Sequence, residues 1–157
     1  MVVLSIIAAL LFVALLCIVI NKNGVPDMVS SIYYLMGKKG WVFQTVMILF
    51  CMLMMVCLLD CGKGVQCLAF LACGGLMFVG AVPRFLDESE RKVHKTGAII
   101  SAVASIGWCL TVNWRIVVAL LGLYAVYWAC RSEDDHPWFM AEVTAVWMVL
   151  LTYWSVF

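Results

Sequence analysis

Glu142 is the single carboxylate in the stretch "WFMAEVTAVWMVLLTYWSVF", residues 138–157, which is otherwise uncharged and largely apolar. A carboxylate inside a lipid-crossing segment is costly. Such residues usually face a bundle interior, take a partner and mark function. Trp138 suits the membrane interface and Pro137 the first helical turn. Glu142 then lies roughly 6 Å deeper, at 1.5 Å of rise per residue. The cations expected at the same surface are Arg84, His94 and Lys95. A pairing of Glu142 with His94 or Arg84 is the leading expectation. It leaves open a structural ion pair, an unpaired carboxylate reaching back to water, or a functional group.

Other residue sets could do chemistry at that surface. Ser30 or Ser31 with His94 and Glu142 supplies the types of a nucleophile–base–acid set, which is defined by geometry rather than chain order. No nucleophile-elbow or oxyanion-hole motif accompanies them. His94, His136, Asp135 and Glu142 are metal-ligand types, yet neither HxxxH nor HExxH occurs. No metal and no cofactor is therefore expected. The eight cysteines form no CxxC pair and lie in or beside apolar runs, where cysteine acts as a small packing residue. Cys61 and Cys67 flank a short loop and could bond on an oxidising face.

The elements that must position these groups follow from composition. Of 157 residues, 66% are hydrophobic and 12% charged, with a mean hydropathy of +1.09. A soluble domain carries about twice that charged fraction, so lipid is the expected solvent. The net charge of +1 gives no case for nucleic-acid binding. Apolar runs at about 1–20, 41–59, 65–83, 97–112, 116–130 and 138–157 predict an all-α, polytopic transmembrane bundle of six spans forming one domain. The fourth and fifth runs are parted only by Asn113, Trp114 and Arg115, and five spans is the alternative. The first run lacks a basic leader and a small-residue cleavage site, so it is expected to stay as a helix rather than act as a signal peptide.

Loops at 21–40, 84–96 and 131–137 hold eight of the ten Lys and Arg residues, leaving Lys63 and Arg115 on the other side. The positive-inside rule places those loops in the cytoplasm. The expectation is an integral protein of a bacterial inner membrane with both termini outside. Trp41, Trp128 and Trp138 would mark the inner interface, Trp108, Trp114 and Trp154 the outer. In the first loop, "VPDMVSSIYYLMG" predicts a short interfacial amphipathic helix capped by Asp27 and ending at Gly37. Met28, Ile32, Leu35 and Met36 would share its apolar face, Ser30, Tyr33 and Tyr34 the other. In the second loop, Asp87 with Arg91 and Glu88 with Lys92 stand at i,i+4, so the fourth helix is expected to begin before the membrane.

Gly97, Ser101, Ser105 and Cys109 recur every four residues, a small-residue ladder that allows close helix packing. "ACGG" at 72–75 is a matching patch.

The segments "GVPDMVSSIYYL", "LAFLACGGLMFVGAVPRF" and "KVHKTGA" resemble an uncharacterised family of small polytopic membrane proteins from gut Bacteroidetes and their phages. The Pro83…His94-x-x-x-Ala98 arrangement is similar to the DUF998 and Frag1/DRAM/Sfk1 six-helix families. The resemblance singles out Pro26, Ser30, Tyr33, Tyr34, Pro83, His94 and Glu142, and implies no activity. The expected function is non-enzymatic. A polar pocket at the cytoplasmic leaflet, built from Glu142, His94, Arg84, Ser30, Tyr33 and Tyr34, would bind or sense a lipid headgroup or small ligand. Membrane lipids and a second copy of the chain are the expected partners. An oligomeric pore, holin-like or defence-related, and a lipid hydrolase are the alternatives.

Overall fold

A computed structural model describes residues 1–82, 88–133 and 135–157. Among the described residues the chain is all-helical, with no strand. Its helices are α1 (Val2–Asn23), α2 (Ile32–Leu35), α3 (Gly40–Asp60), α4 (Gln66–Ala81), α5 (Glu88–Cys130) and α6 (Pro137–Trp154). By length and composition three segments can cross a membrane: Val2–Asn23, Gly37–Asp60 and Glu88–Cys130. The apolar α4 is shorter.

Side-chain bonds fix how the helices run. Trp154 Nε1 donates to Ser5 Oγ at 2.8 Å, and the Cys57 thiol to the carbonyl of Met1 at 3.4 Å. The chain ends and the end of α3 therefore share one pole. At the other pole Gln44 Nε2 donates to the Ala81 carbonyl at 3.1 Å. Between α3 and α4 the chain reverses over residues 61–64, where Gly62 and Gly64 take positive φ of 61° and 66°. Glycine adopts that conformation without a Cβ clash. A Cβ on Gly64 would also lie 2.7 Å from the side chain of Val112.

The expected fourth and fifth spans are one continuous element with a break. At Asn113 φ is −153° and ψ 84°, outside the helical region. The expected three-residue turn is thus concentrated in one residue. Before it, α5 runs antiparallel to α4: Ser101 Oγ donates to the Ala72 carbonyl at 2.8 Å, and Trp108 Nε1 to the Lys63 carbonyl at 3.1 Å. After it, the chain returns beside α6: Asn113 Nδ2 donates to Ser155 Oγ at 3.0 Å and the Tyr124 hydroxyl to the Pro137 carbonyl at 3.1 Å. The first arm begins at Glu88, ahead of the apolar run, and Lys92 pairs with Glu88 at 2.9 Å. Asp87, the other expected i,i+4 acid, lies outside the described residues.

Two expectations are corrected here. The connector after α1 is not one helix capped by Asp27. It is a 3-10 turn at Val29–Ser31, then α2, then a second 3-10 turn at Gly37–Lys39. Met28 occupies the cap position, with Ser31 Oγ donating to its carbonyl at 2.7 Å. Asp27 instead meets His136 Nδ1 at 3.0 Å. The connector buries Pro26, Val29, Ser30 and Ile32, whereas Met28 and Leu35 are exposed. The 3-10 turn resets the phase, so a single 3.6-residue period assigns the faces wrongly. The second correction is Trp108, expected at the interface but 1% exposed. Its ring packs inside, and only its N–H reaches the pole. Trp41, Trp114 and Trp138 are exposed as a belt requires. All eight cysteines are free, Cys61 and Cys67 included.

Candidate functional site

The ladder on α5 explains the site. Residues four apart drift about 40° per step around a helix of 3.6 residues per turn, so its members do not all face one neighbour. Gly97 and Ser101 face α4, where a Cβ on Gly75 would lie 2.6 Å from the Gly97 carbonyl and 2.8 Å from the Ser101 nitrogen. Ser105 faces a central cavity. Cys109, at the far end, meets the side chain of Thr152 on α6. One end of the helix is held backbone to backbone. Farther along, a gap opens.

That gap is a cavity of about 140 Å³. Phe12 of α1 and Phe43, Met47, Phe50, Cys51 and Met54 of α3 form its apolar side. Ala98 and Ala102 of α5 also line it, yet both are exposed on the surface. The cavity therefore reaches the flank of the bundle between α5 and α6, where Ala145 and Val149 form the opposite edge.

Glu142 sits at one end of this space with Val29 and Ser30. The Val29 N–H donates to its Oε2 at 2.5 Å, and the Ser30 N–H also bonds the carboxylate. Residues at the start of a helical turn have N–H groups without helical acceptors, and an acidic group favours that end. Here the acid comes from 113 residues away in the chain. Glu142 thus fastens the connector to α6 and presents its carboxylate to the cavity. Among the described residues it makes no ion pair with Lys, Arg or His.

The residues named from sequence are only partly brought together. Ser30 and Glu142 meet at the cavity, and Ser101 and Ser105 line its wall. His94 is buried on the α4 side, its Nδ1 3.0 Å from the Val82 carbonyl, and does not line the cavity. Tyr33 and Tyr34 pack edge to face, centroids 5.4 Å apart, with Tyr33 against Gly40. They lie outside the lining as well. Arg84 lies outside the described residues. The apolar walls were missed from sequence. Their signal was a second column of small residues, Ala98 and Ala102, beside the Gly97 ladder: a face too small to fill the space before it.

No family model, no curated protein and no solved structure matches the chain.

Proposed function

We propose that the protein is an integral membrane protein of six spans that binds a small amphiphilic molecule taken from the lipid phase. The termini lie outside and the connector inside a bacterial inner membrane. The observation that carries this reading is the cavity itself, apolar along its length, open toward the flank at Ala98 and Ala102, and ended by Glu142 and Ser30. Binding sites have this composition: mostly apolar walls with a few placed polar groups that orient the ligand. The opening between α5 and α6 gives a lipid-dissolved molecule a direct route. The eight-to-two basic bias supports the orientation.

The hydrolase alternative gains no support, because His94 Nδ1 bonds the Val82 carbonyl and His94 is not among the described residues that line the cavity with Ser30 and Glu142. Among the described residues the lining is apolar but for Ser30, Ser101, Ser105 and Glu142, so the cavity offers no continuous polar path through one copy of the chain.

A diazirine-bearing alkyl alcohol, photolysed with the protein in nanodiscs and mapped by mass spectrometry, tests the reading. Label is expected on Met54, Ala145 and Val149, and should be lost when Ala102→Phe blocks the opening. Label confined to outward residues such as Leu123 and Val126 in both proteins would overturn it.

A further inference from the structure

Every polar atom facing the cavity bears on what it holds. Among the described residues its lining contains one carboxylate and no Lys, Arg or His. A carboxylate has about four lone-pair positions. The two N–H groups of Val29 and Ser30 use part of that capacity, and the rest remains toward the space it lines. Three aromatic rings, Phe12, Phe43 and Phe50, stand along the same cavity, and ring faces attract cations. Small side chains, Ala98 and Ala145, stand in the same lining as Glu142, Ala145 three residues along its own helix.

These features sort ligands by charge. An anion would meet the carboxylate without a compensating cation. A zwitterionic phospholipid headgroup would bring its phosphate against the same carboxylate and apolar walls. A neutral hydrocarbon fills the space but leaves the intramembrane charge unanswered, which is unfavourable in a dry site. An ammonium group answers it. The volume of about 140 Å³ is close to that of an apolar protein cavity known to admit benzene, roughly 150 Å³. One ring or a chain of similar size fits.

Resting on the cavity as a ligand site, we propose that its ligand class is a primary amine on a short alkyl or arylalkyl group, with the ammonium against Glu142 and the apolar part between Phe12, Phe43 and Phe50. The amine enters from the lipid through the α5–α6 opening. It binds without displacing the connector, because the Val29 and Ser30 N–H bonds and the ammonium use different lone pairs of one group.

The test uses the full chain in nanodiscs, with benzylamine and its neutral counterparts toluene and benzyl alcohol as titrants in calorimetry. Glu142→Gln keeps an oxygen acceptor for Val29 while removing the charge, and Ala145→Leu fills the space. Benzylamine should bind the wild type at least about tenfold tighter than Glu142→Gln, the size of one charge-assisted hydrogen bond. Toluene should bind both proteins equally, and Ala145→Leu should bind none of the three titrants. If toluene binds but benzylamine shows no preference for the wild type, the amine assignment fails while the cavity remains a ligand site. If neither titrant saturates, the cavity reading fails and the assignment with it. Should Glu142→Gln not stay folded, wild-type benzylamine against benzyl alcohol decides: a tenfold preference for the amine supports the proposal, and equal affinity overturns it.

Discussion

Glu142 on α6 accepts a 2.5 Å hydrogen bond from the backbone N–H of Val29, joining two segments 113 residues apart. Replacing the carboxylate strands that donor and its neighbour on Ser30. Glu142→Ala should therefore destabilise the protein by about 1–3 kcal/mol, the penalty of leaving a buried donor unmade. Glu142→Gln, which keeps a neutral acceptor, should cost less than half of that. Thermal melts in one detergent rank the pair, and equal losses would show that charge rather than acceptance holds the connector.

Gly75 and Gly97 press backbone to backbone, whereas a Cβ on the adjacent Gly74 would meet nothing within 4 Å. Gly75→Ala must push α4 and α5 apart, at about 1–3 kcal/mol for overpacking. Gly74→Ala should be neutral or slightly stabilising through higher helix propensity. A matched loss in both variants would mean the two helices do not touch along this line.

Ser101 donates to the Ala72 carbonyl at 2.8 Å, so it has a polar role as well as a steric one. Ser101→Ala should cost about 0.6 kcal/mol, the average for a hydrogen bond between membrane helices. Ser105→Ala, on the cavity wall, should leave the melting midpoint unchanged. Chemical-denaturation midpoints in mixed micelles resolve a difference of this size.

Both chain ends lie at one pole through the Met1–Cys57 and Ser5–Trp154 contacts. Reporter fusions at residues 1 and 157 should give the same sidedness, and that side should be outside. Opposite readings from the two reporters would break the six-span topology. Two cytoplasmic readings would keep the bundle and invert it.

How far the sequence carried this structure depends on the kind of signal. Apolar runs located α1, α3, α4 and α6 within a few residues, because each helix is apolar along most of its length and the runs end where polar or turn residues begin. The break at Asn113 was legible from its polar neighbours. Glu142 stood out because a charge among apolar residues is rare. Its partner did not, since backbone N–H groups belong to every residue type and Val29 carries no mark of donation. Of the two cations expected beside Glu142, His94 makes no ion pair with it among the described residues, and Arg84 lies outside them. His94 likewise was legible as a buried polar group but not as one turned to a carbonyl. The phase of the connector was lost in a 3-10 turn that no residue pattern there announces.

The reversal at Asn113 leaves the second arm of α5 against α6, and along that arm Val117 is the buried residue while Leu121, Leu123, Val126 and Trp128 are exposed. Local stability follows buried contact. In hydrogen–deuterium exchange the amides of residues 118–130 should therefore open first and as a unit, ahead of those between 97 and 109. That result would divide the bundle into two cooperative parts: a tight body of α1, α3, α4 and the first arm, and an outer arm that opens from α6 at the smallest free-energy cost. Because α6 carries Glu142 and one edge of the opening, peeling of that arm would leave the α6 side of the cavity with one neighbour fewer.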